Sequence, residues 1–489
     1  MRVAALGVAA FAGLILFSFA PHARAQAPTG VIAKDTRQET FQYGRFGTVH
    51  MCIPRQIKHV ALFADGDGGW NEGIDDMAQL LANEDTLVAG IDSPTYIAAL
   101  NGAKDHCVYI AADFENLMHA VEKRYQLKTY MVPVISGYSS GASLVYMALA
   151  QAPQGTFKGG LSLGFCKDTD LHKPVCRGRG LTTKPSVPPP GAQQQAGAPQ
   201  LPGTLLQPMR GLSEAWTILQ GLTDEACPLP GVSAFTQQIP GAHLVTLPKV
   251  GHGFSVGRNW HPQFQSAYRE LQKPISVNAL PSTVGDLPLV ELPASGKDSD
   301  RFAVLVTGDG GWAGLDREVA AGLVSAGIPV VALNSLKYFW QARTPSGTAK
   351  DLERIIDHYS HQWHRGRVLL VGYSFGANVL PAVVNALGPD VRERVDSISL
   401  IGLEPKASFE IRVSGWLGQV TGTQPVLPQL DRLAAARVPV LCIRGQEEKD
   451  SLCASLTPAQ AHVQLLPGGH HYNGDYAALV RSVLAFRPT

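Results

Sequence analysis

A Gly-x-Ser-x-Gly corner, written twice, constrains this chain more than any other feature. One copy is "VISGYSSGASLVY" (134–146) and the other "VLLVGYSFGANVL" (368–380). Each is an apolar, strand-like run that breaks at Gly-Tyr-Ser and resumes with helical character. A serine on so sharp a turn between strand and helix is lifted above the edge of a parallel sheet, and glycines beside it relieve the crowding. A lone match of this pattern is weak. The chain supplies a decoy of its own, "GLSLG" (160–164), which lies within an apolar run heading to Phe165 and Cys166 and not into a helix. Ser162 therefore reads as a strand residue.

The two corners belong to a longer repeat with four landmarks in one order. A strand-like run enters a glycine-rich corner in "HVALFADGDGGWN" (59–71) and "FAVLVTGDGGWAG" (302–314). The serine corner follows. Next come "WTILQGLTDEAC" (216–227) and "VLCIRGQEEKDSLC" (440–453), each with an aspartate three residues before a cysteine. Last are "LPKVGHGF" (247–254) and "LPGGHHY" (466–472), with His252 and His470. Strands alternating with longer helical stretches such as "DLERIIDHYSHQW" (351–363) predict mostly parallel sheets with helices on both faces. The expected fold is thus two tandem α/β-hydrolase-like domains.

A chain of 489 residues suits that plan, being too long for one ordinary core. Met1-Arg2, an apolar run over 3–20 and Ala23-Arg24-Ala25 read as a cleaved secretory signal, residues 1–25. The expected units are then an N-terminal domain over 26–275, a linker over 276–285 and a C-terminal domain over 286–489. Residues 184–203, "KPSVPPPGAQQQAGAPQLPG", carry too much proline, glycine and glutamine to pack a core and read as a surface loop. Export to the periplasm fits the seven cysteines, of which Cys442 and Cys453 are the expected bridge. Pairing among the other five is left open by the sequence, one being odd. Basic and acidic residues balance at 41 and 40, so nucleic acid is not an expected partner. Neither a metal-ligand cluster nor a nucleotide fingerprint is legible, and no cofactor is expected.

The order Ser…Asp…His after a strand–turn–helix is that of a serine hydrolase. A neutral serine needs a histidine to take its proton and a carboxylate to orient that histidine. In the second copy these are Ser374, Asp450 and His470. Glu447 and Glu448 are the neighbouring carboxylates, with Asp450 favoured by its match to Asp224, and His471 is the alternative base. Ser139, Asp224 and His252 form a possible second triad. Backbone amides of Asp309, Gly310 and Phe375 are the candidate oxyanion donors. The first copy has "SPTYIAALN" (93–101) where the second has "KYFW" (337–340), and the insert at 184–203 interrupts it. Both differences point to weaker catalysis there.

The motifs "TGDGGW", "KYFW", "GYSFGAN", "EKDSLC" and "GGHHY" together resemble the VirJ/AcvB family of exported bacterial virulence-associated proteins, in its longer two-domain form. The resemblance covers essentially the whole mature chain. It implies hydrolysis of lysyl-phosphatidylglycerol to lysine and phosphatidylglycerol, peripheral contact with the membrane that holds this phospholipid, and a possible secretion-system partner. Asp309, Tyr338, Trp340, Glu410 and Trp416 are then candidates to bind the lysyl or lipid parts. A secretion-associated scaffold on a hydrolase fold and a broad-specificity carboxylesterase are the competing readings.

Overall fold

The structure, a computed structural model, describes residues 36–186, 202–273, 283–295, 300–412 and 422–486. The expected signal at 1–25, Trp416 and most of the expected linker lie outside them.

Two large sheets are present. The first contains β1 (Arg37–Gln42), β2 (Thr48–Ile53), β3 (His59–Ala64), β4 (Thr86–Ile91), β5 (Val134–Tyr138) and β6 (Gly159–Leu163). Three short strands, β7 (Asp168–Thr169), β8 (Thr183–Ser186) and β9 (Gly203–Leu206), form a separate small sheet. β10 (Trp216–Gly221) and β11 (Ala242–Leu247) complete the large one, in the order β1-β2-β4-β3-β5-β6-β10-β11. The pairs β1–β2 and β2–β4 are antiparallel and the rest parallel. Thus both ends of the expected loop over 184–203 are anchored, Ser186 facing Gly203 across the β8–β9 ladder.

The second sheet repeats the plan without its first strand. β12 (Leu289–Leu292), β13 (Arg301–Val306), β14 (Val330–Leu333), β15 (Arg367–Tyr373) and β16 (Val395–Ile401) are followed by a small hairpin, β17 (Lys406–Ala407) and β18 (Gln424–Pro425). β19 (Val440–Gly445) and β20 (His462–Leu466) then close the order β12-β14-β13-β15-β16-β19-β20. Apart from the antiparallel edge pair β12–β14, its strands run parallel.

Continuous apolar runs make the central strands: every residue of β4, β6 and β14 is buried. Strands covered on both faces need no alternation. The covering helices include α1 (Glu72–Ala82), α2 (Ser93–Asn101), α3 (Ile110–Arg124), α4 (Ser140–Gln151), α5 (Leu229–Thr236) and α6 (His261–Gln272) on the first sheet. α7 (Gly314–Ser325), α8 (Ser335–Tyr338), α9 (Pro345–Trp363) and α10 (Phe375–Asn385) serve the second. Each sheet has two apolar clusters, one per face. This is an α/β-hydrolase architecture, present twice. Among the described residues no helix is long and apolar enough to cross a membrane.

Three disulfides form, Cys107–Cys176, Cys166–Cys227 and Cys442–Cys453, as suits an oxidising compartment. The odd cysteine is Cys52, whose buried thiol is pushed up to about 12 by desolvation first and Asp75 second.

Candidate active sites

The serine corners are built alike. Ser139 has φ 56° and Ser374 φ 49°, in a region non-glycine residues rarely adopt. Each serine is pinned by its amide, which donates to Leu163 O (2.9 Å) or Ile401 O (2.8 Å) on the neighbouring strand. Two residues on, the chain presses on the first corner of its own domain. A Cβ at Gly141 would lie 2.2 Å from Ala64 O, and one at Gly376 2.0 Å from Val306 O. That contact is why the motif ends in glycine. It also brings the GDGGW turn beside the serine: a Cβ at Gly66 would sit 3.0 Å from Ser139 Cβ. In each turn the fourth residue donates to the first, Gly69 to Gly66 O and Gly311 to Gly308 O, both at 3.1 Å. Asp309 and Gly310 are the two central residues of the second turn, and Phe375 opens α10 directly after the serine. These are the geometric prerequisites of oxyanion donors.

In the first domain the three expected residues form one hydrogen-bonded chain. Ser139 Oγ is 2.9 Å from His252 Nε2, and His252 Nδ1 is 2.9 Å from Asp224 Oδ2. Asp224 is fixed further by Gln220 Nε2 (2.9 Å) and the Cys227 amide (2.8 Å), with its carboxylate fully out of solvent. The Cys166–Cys227 bridge fastens that acid turn to the segment after β6. Cys166, Cys227 and His252 cluster as metal ligands would, but bridged sulfurs are not thiolates and the set does not suit an ion.

The second domain corrects the expected acid. His470 Nδ1 is 2.5 Å from Glu448 Oε1, and Glu448 Oε2 accepts from the Gly445 amide at 2.6 Å. Asp450, two residues further on, is exposed. The backbone explains the difference. Asp224 donates its amide to the strand-end glycine, Gly221 O (3.4 Å), and Glu448 does the same to Gly445 O (3.3 Å). Counting from the strand end, not from the cysteine, puts Glu448 where Asp224 stands. Among the described residues no hydrogen bond joins Ser374 to His470. Such bonds are often long in unliganded hydrolases.

Charge differs too. Burial works to raise the Glu448 carboxyl, but the hydrogen bond from His470, the Gly445 amide and Arg444 hold it below the usual range. For His470, burial favours the neutral ring and is outweighed by Glu448, with Glu404 and Asp309 adding to the pull, so its pKa is raised. Burial lowers His471, and neighbouring His470 adds to this. Glu404 is raised by burial against the hydrogen bond from Asn378, with Asp309 and Glu448 also raising it. Asn378 and Glu404 are joined twice, side chain to side chain and amide to side chain, at 2.9 Å each.

Three expected binding residues have partners of their own. Tyr338 is buried and its hydroxyl donates to Asp351 at 2.6 Å, as Tyr96 does to Asp113 at 2.7 Å in the first domain. Trp340 is buried between the two domains, where its ring N–H donates to Leu127 O (2.8 Å) and Lys123 Nζ lies 4.4 Å from its ring. Glu410 pairs with that same Lys123 at 3.6 Å. In these contacts the three residues pack the fold and join the two domains. Phe375, next to Ser374, packs on the buried Phe339 at 5.0 Å between ring centres, with Phe409 a further 6.0 Å from Phe339 in the core.

Sequence reasoning also missed the tyrosine before each serine. Tyr138 Oη donates to His252 O at 2.9 Å. Tyr373 Oη donates to His470 O at 3.4 Å and lies 3.2 Å from His471 Nδ1. Each ties the elbow to the loop carrying the histidine. The signal was in plain view, since the repeat reads Gly-Tyr-Ser in both copies.

Among solved structures, the esterase domain of a Rhodothermus marinus protein is 14% identical over 48% of this chain and 97% of its own, with a TM-score of 0.32. Est1E from Butyrivibrio proteoclasticus is 14% identical over 48% and 98%, at 0.30. A serine hydrolase without lid from Xanthomonas campestris is 16% identical over 50% and 97%, at 0.28. No curated protein matches in sequence. A family model, described as bacterial virulence protein (VirJ), matches residues 58–170 and 300–487. Its second stretch runs through Ser374, Glu448 and His470, whereas the first ends before Asp224 and His252. With more than half its length matched, the chain belongs to the VirJ family.

Proposed function

We propose that the protein is an exported serine ester hydrolase that splits lysyl-phosphatidylglycerol into lysine and phosphatidylglycerol, using Ser374, His470 and Glu448. The observation carrying this reading is the set of acids around the serine: Glu448 bonded to His470, Glu404 held by Asn378 four residues after Ser374, and Asp309 in the turn packed beside Ser374. Acids beside a hydrolytic serine suit a substrate whose acyl part is cationic, and the partly exposed ring of Phe375 suits its apolar remainder. Ser374 Oγ attacks the lysyl carbonyl and its proton passes to His470 Nε2. Backbone amides at Gly310 and Phe375 receive the oxyanion, and the departing glycerol oxygen of phosphatidylglycerol takes the proton back. Water, deprotonated by His470, then frees lysine and restores the serine.

The test is lysine release from lysyl-phosphatidylglycerol vesicles by the purified protein. The expected result is release that Ser374→Ala abolishes. Release that survives Ser374→Ala and vanishes in Ser139→Ala would move the reaction to the other domain, and no release by folded wild type would overturn the substrate.

A further inference from the structure

We infer that the first domain is a second, separately working ester hydrolase, with Ser139 as nucleophile, and that it takes esters whose acyl part is neutral or cationic. The lysyl-lipid reading assigns it no role. Four independent features support it.

First, the relay is closed. Oγ, the imidazole and the carboxylate are in line at 2.9 Å and 2.9 Å, so His252 Nε2 is already placed to accept the serine proton. Second, the acid is anchored by two further donors, Gln220 Nε2 and the Cys227 amide, and shut away from water. A side chain that served only to fill space would not need three polar partners. Third, Ser139 keeps a strained positive-φ backbone that a fold using the domain as a mere platform would gain by relaxing. Fourth, the serine opens into a cleft of about 650 Å³, within the range of small-molecule sites. Ile74, Met77, Phe254 and Trp260 give that cleft an apolar floor, and Asp67 and Asp76 stand exposed at its rim. Its lining contains neither lysine nor arginine to offset Asp67 and Asp76 against an anionic acyl group.

The reaction balances without any co-reactant but water. Ser139 Oγ bonds to the ester carbonyl carbon as its proton moves to His252 Nε2. The carbon–alkoxy bond then breaks, the alcohol leaves with that proton, and an acyl-serine remains. Water adds to the acyl carbon, giving a proton to His252; the carbon–Oγ bond breaks, and Oγ recovers the proton as the acid departs.

The experiment uses the full mature chain carrying Ser374→Ala, so that the second domain is silent. It is treated with a fluorophosphonate, digested and mapped by mass spectrometry. The expected result is a phosphonyl adduct on Ser139, formed at least 100-fold more slowly when Asp224→Asn is added. The same protein should hydrolyse 4-nitrophenyl butyrate at least tenfold faster than 4-nitrophenyl hemisuccinate, and adding Asp67→Asn with Asp76→Asn should narrow that ratio. Absence of an adduct from a protein melting like wild type would overturn the catalytic assignment, as would an adduct formed equally fast with Asp224→Asn. Equal rates on the two esters would overturn the substrate class. None of these outcomes depends on lysyl-phosphatidylglycerol, so failure here is distinct from failure of the lipid reading.

Discussion

Replacing Glu448 by glutamine tests the identity of the second domain's acid with almost no change of shape. In the native site Oε1 receives the His470 Nδ1–H at 2.5 Å and Oε2 the Gly445 amide at 2.6 Å. A glutamine keeps its carbonyl on the Gly445 amide, since its NH₂ cannot accept there. The NH₂ then faces His470 Nδ1 and favours the wrong tautomer, with the proton on Nε2. Losing a hydrogen bond to a charged group costs about 1.5–3 kcal/mol, roughly 10- to 150-fold in rate. Tautomer inversion deepens the loss toward about 10⁴-fold, the value for the serine-protease triad in general. The expected fall in kcat for lysine release is therefore about 10²- to 10⁴-fold, with KM little changed. The pH profile gives an independent reading. His470 must be neutral to act as base and its pKa is raised, so the wild-type rate should climb through a midpoint above 6.5. In Glu448→Gln that midpoint should move to lower pH. Asp450→Asn, by contrast, changes an exposed residue and should stay within about twofold of wild type. A large loss in Asp450→Asn, or near-normal kcat in a folded Glu448→Gln, would refute the assignment.

Other outcomes follow from the same geometry. Gly376→Ala, whose Cβ would lie 2.0 Å from Val306 O, should lose about 3 kcal/mol in denaturant unfolding, while Gly314→Ala, with open space around it, should stay within about 0.5 kcal/mol. Tyr373→Phe frees the His470 loop and should lower kcat about three- to tenfold with thermal stability nearly unchanged, measured by lysine release and melting. Asp65 is raised to about 7 by burial, with Asp92 and Asp67 adding to it, and its Oδ2 is buried without a partner. The folded state thus binds the proton more tightly than the unfolded chain, so stability should decline as pH rises from about 4 to 7. Asp65→Asn should flatten that decline and raise the melting temperature at pH 8 more than at pH 5.

Much of this architecture was legible because it rests on local sequence. Burial on both faces demands apolar runs, and the parallel strands are those runs. The elbows were legible because a steric requirement fixes glycine at one place. Ser162 was rightly set aside: within β6 its hydroxyl accepts from Trp216 and donates to Ala142 O, fully buried. Other readings needed distances that sequence does not carry. Tyr338 and Trp340 sit near the serine in the motif order, yet what surrounds an aromatic ring depends on the neighbouring helix and domain. Asp351 claims one, and Leu127 and Lys123 of the first domain claim the other. The absence of "KYFW" from the first copy therefore says little about its catalysis, since the tyrosine–aspartate contact survives there as Tyr96–Asp113.

The acid is the more instructive case, because the repeat itself contained the answer. Lining up the copies by their cysteines pairs Asp224 with Asp450, but Cys227 and Cys453 are not counterparts. One bridges to Cys166 after β6, the other back to Cys442 within β19. Lining them up by the strand-end glycine pairs Asp224 with Glu448. Glycine is the sounder anchor for a physical reason. A Cβ at Gly221 would lie 2.2 Å from Val250 O, and one at Gly445 2.4 Å from Gly468 O, so both are pressed against the loop that bears the histidine. The contacts continue in register: Thr223 N donates to Val250 O (3.1 Å) and Glu447 N to Gly468 O (3.0 Å). A carboxylate reaches the imidazole only from the residue after those. The longer side chain of glutamate at that position in the second copy spans to His470 while its other oxygen stays on the Gly445 amide. The cysteines, free of that constraint, settled differently in the two halves, and each bridge stabilises an acid turn whose place the strand and the histidine loop had already set.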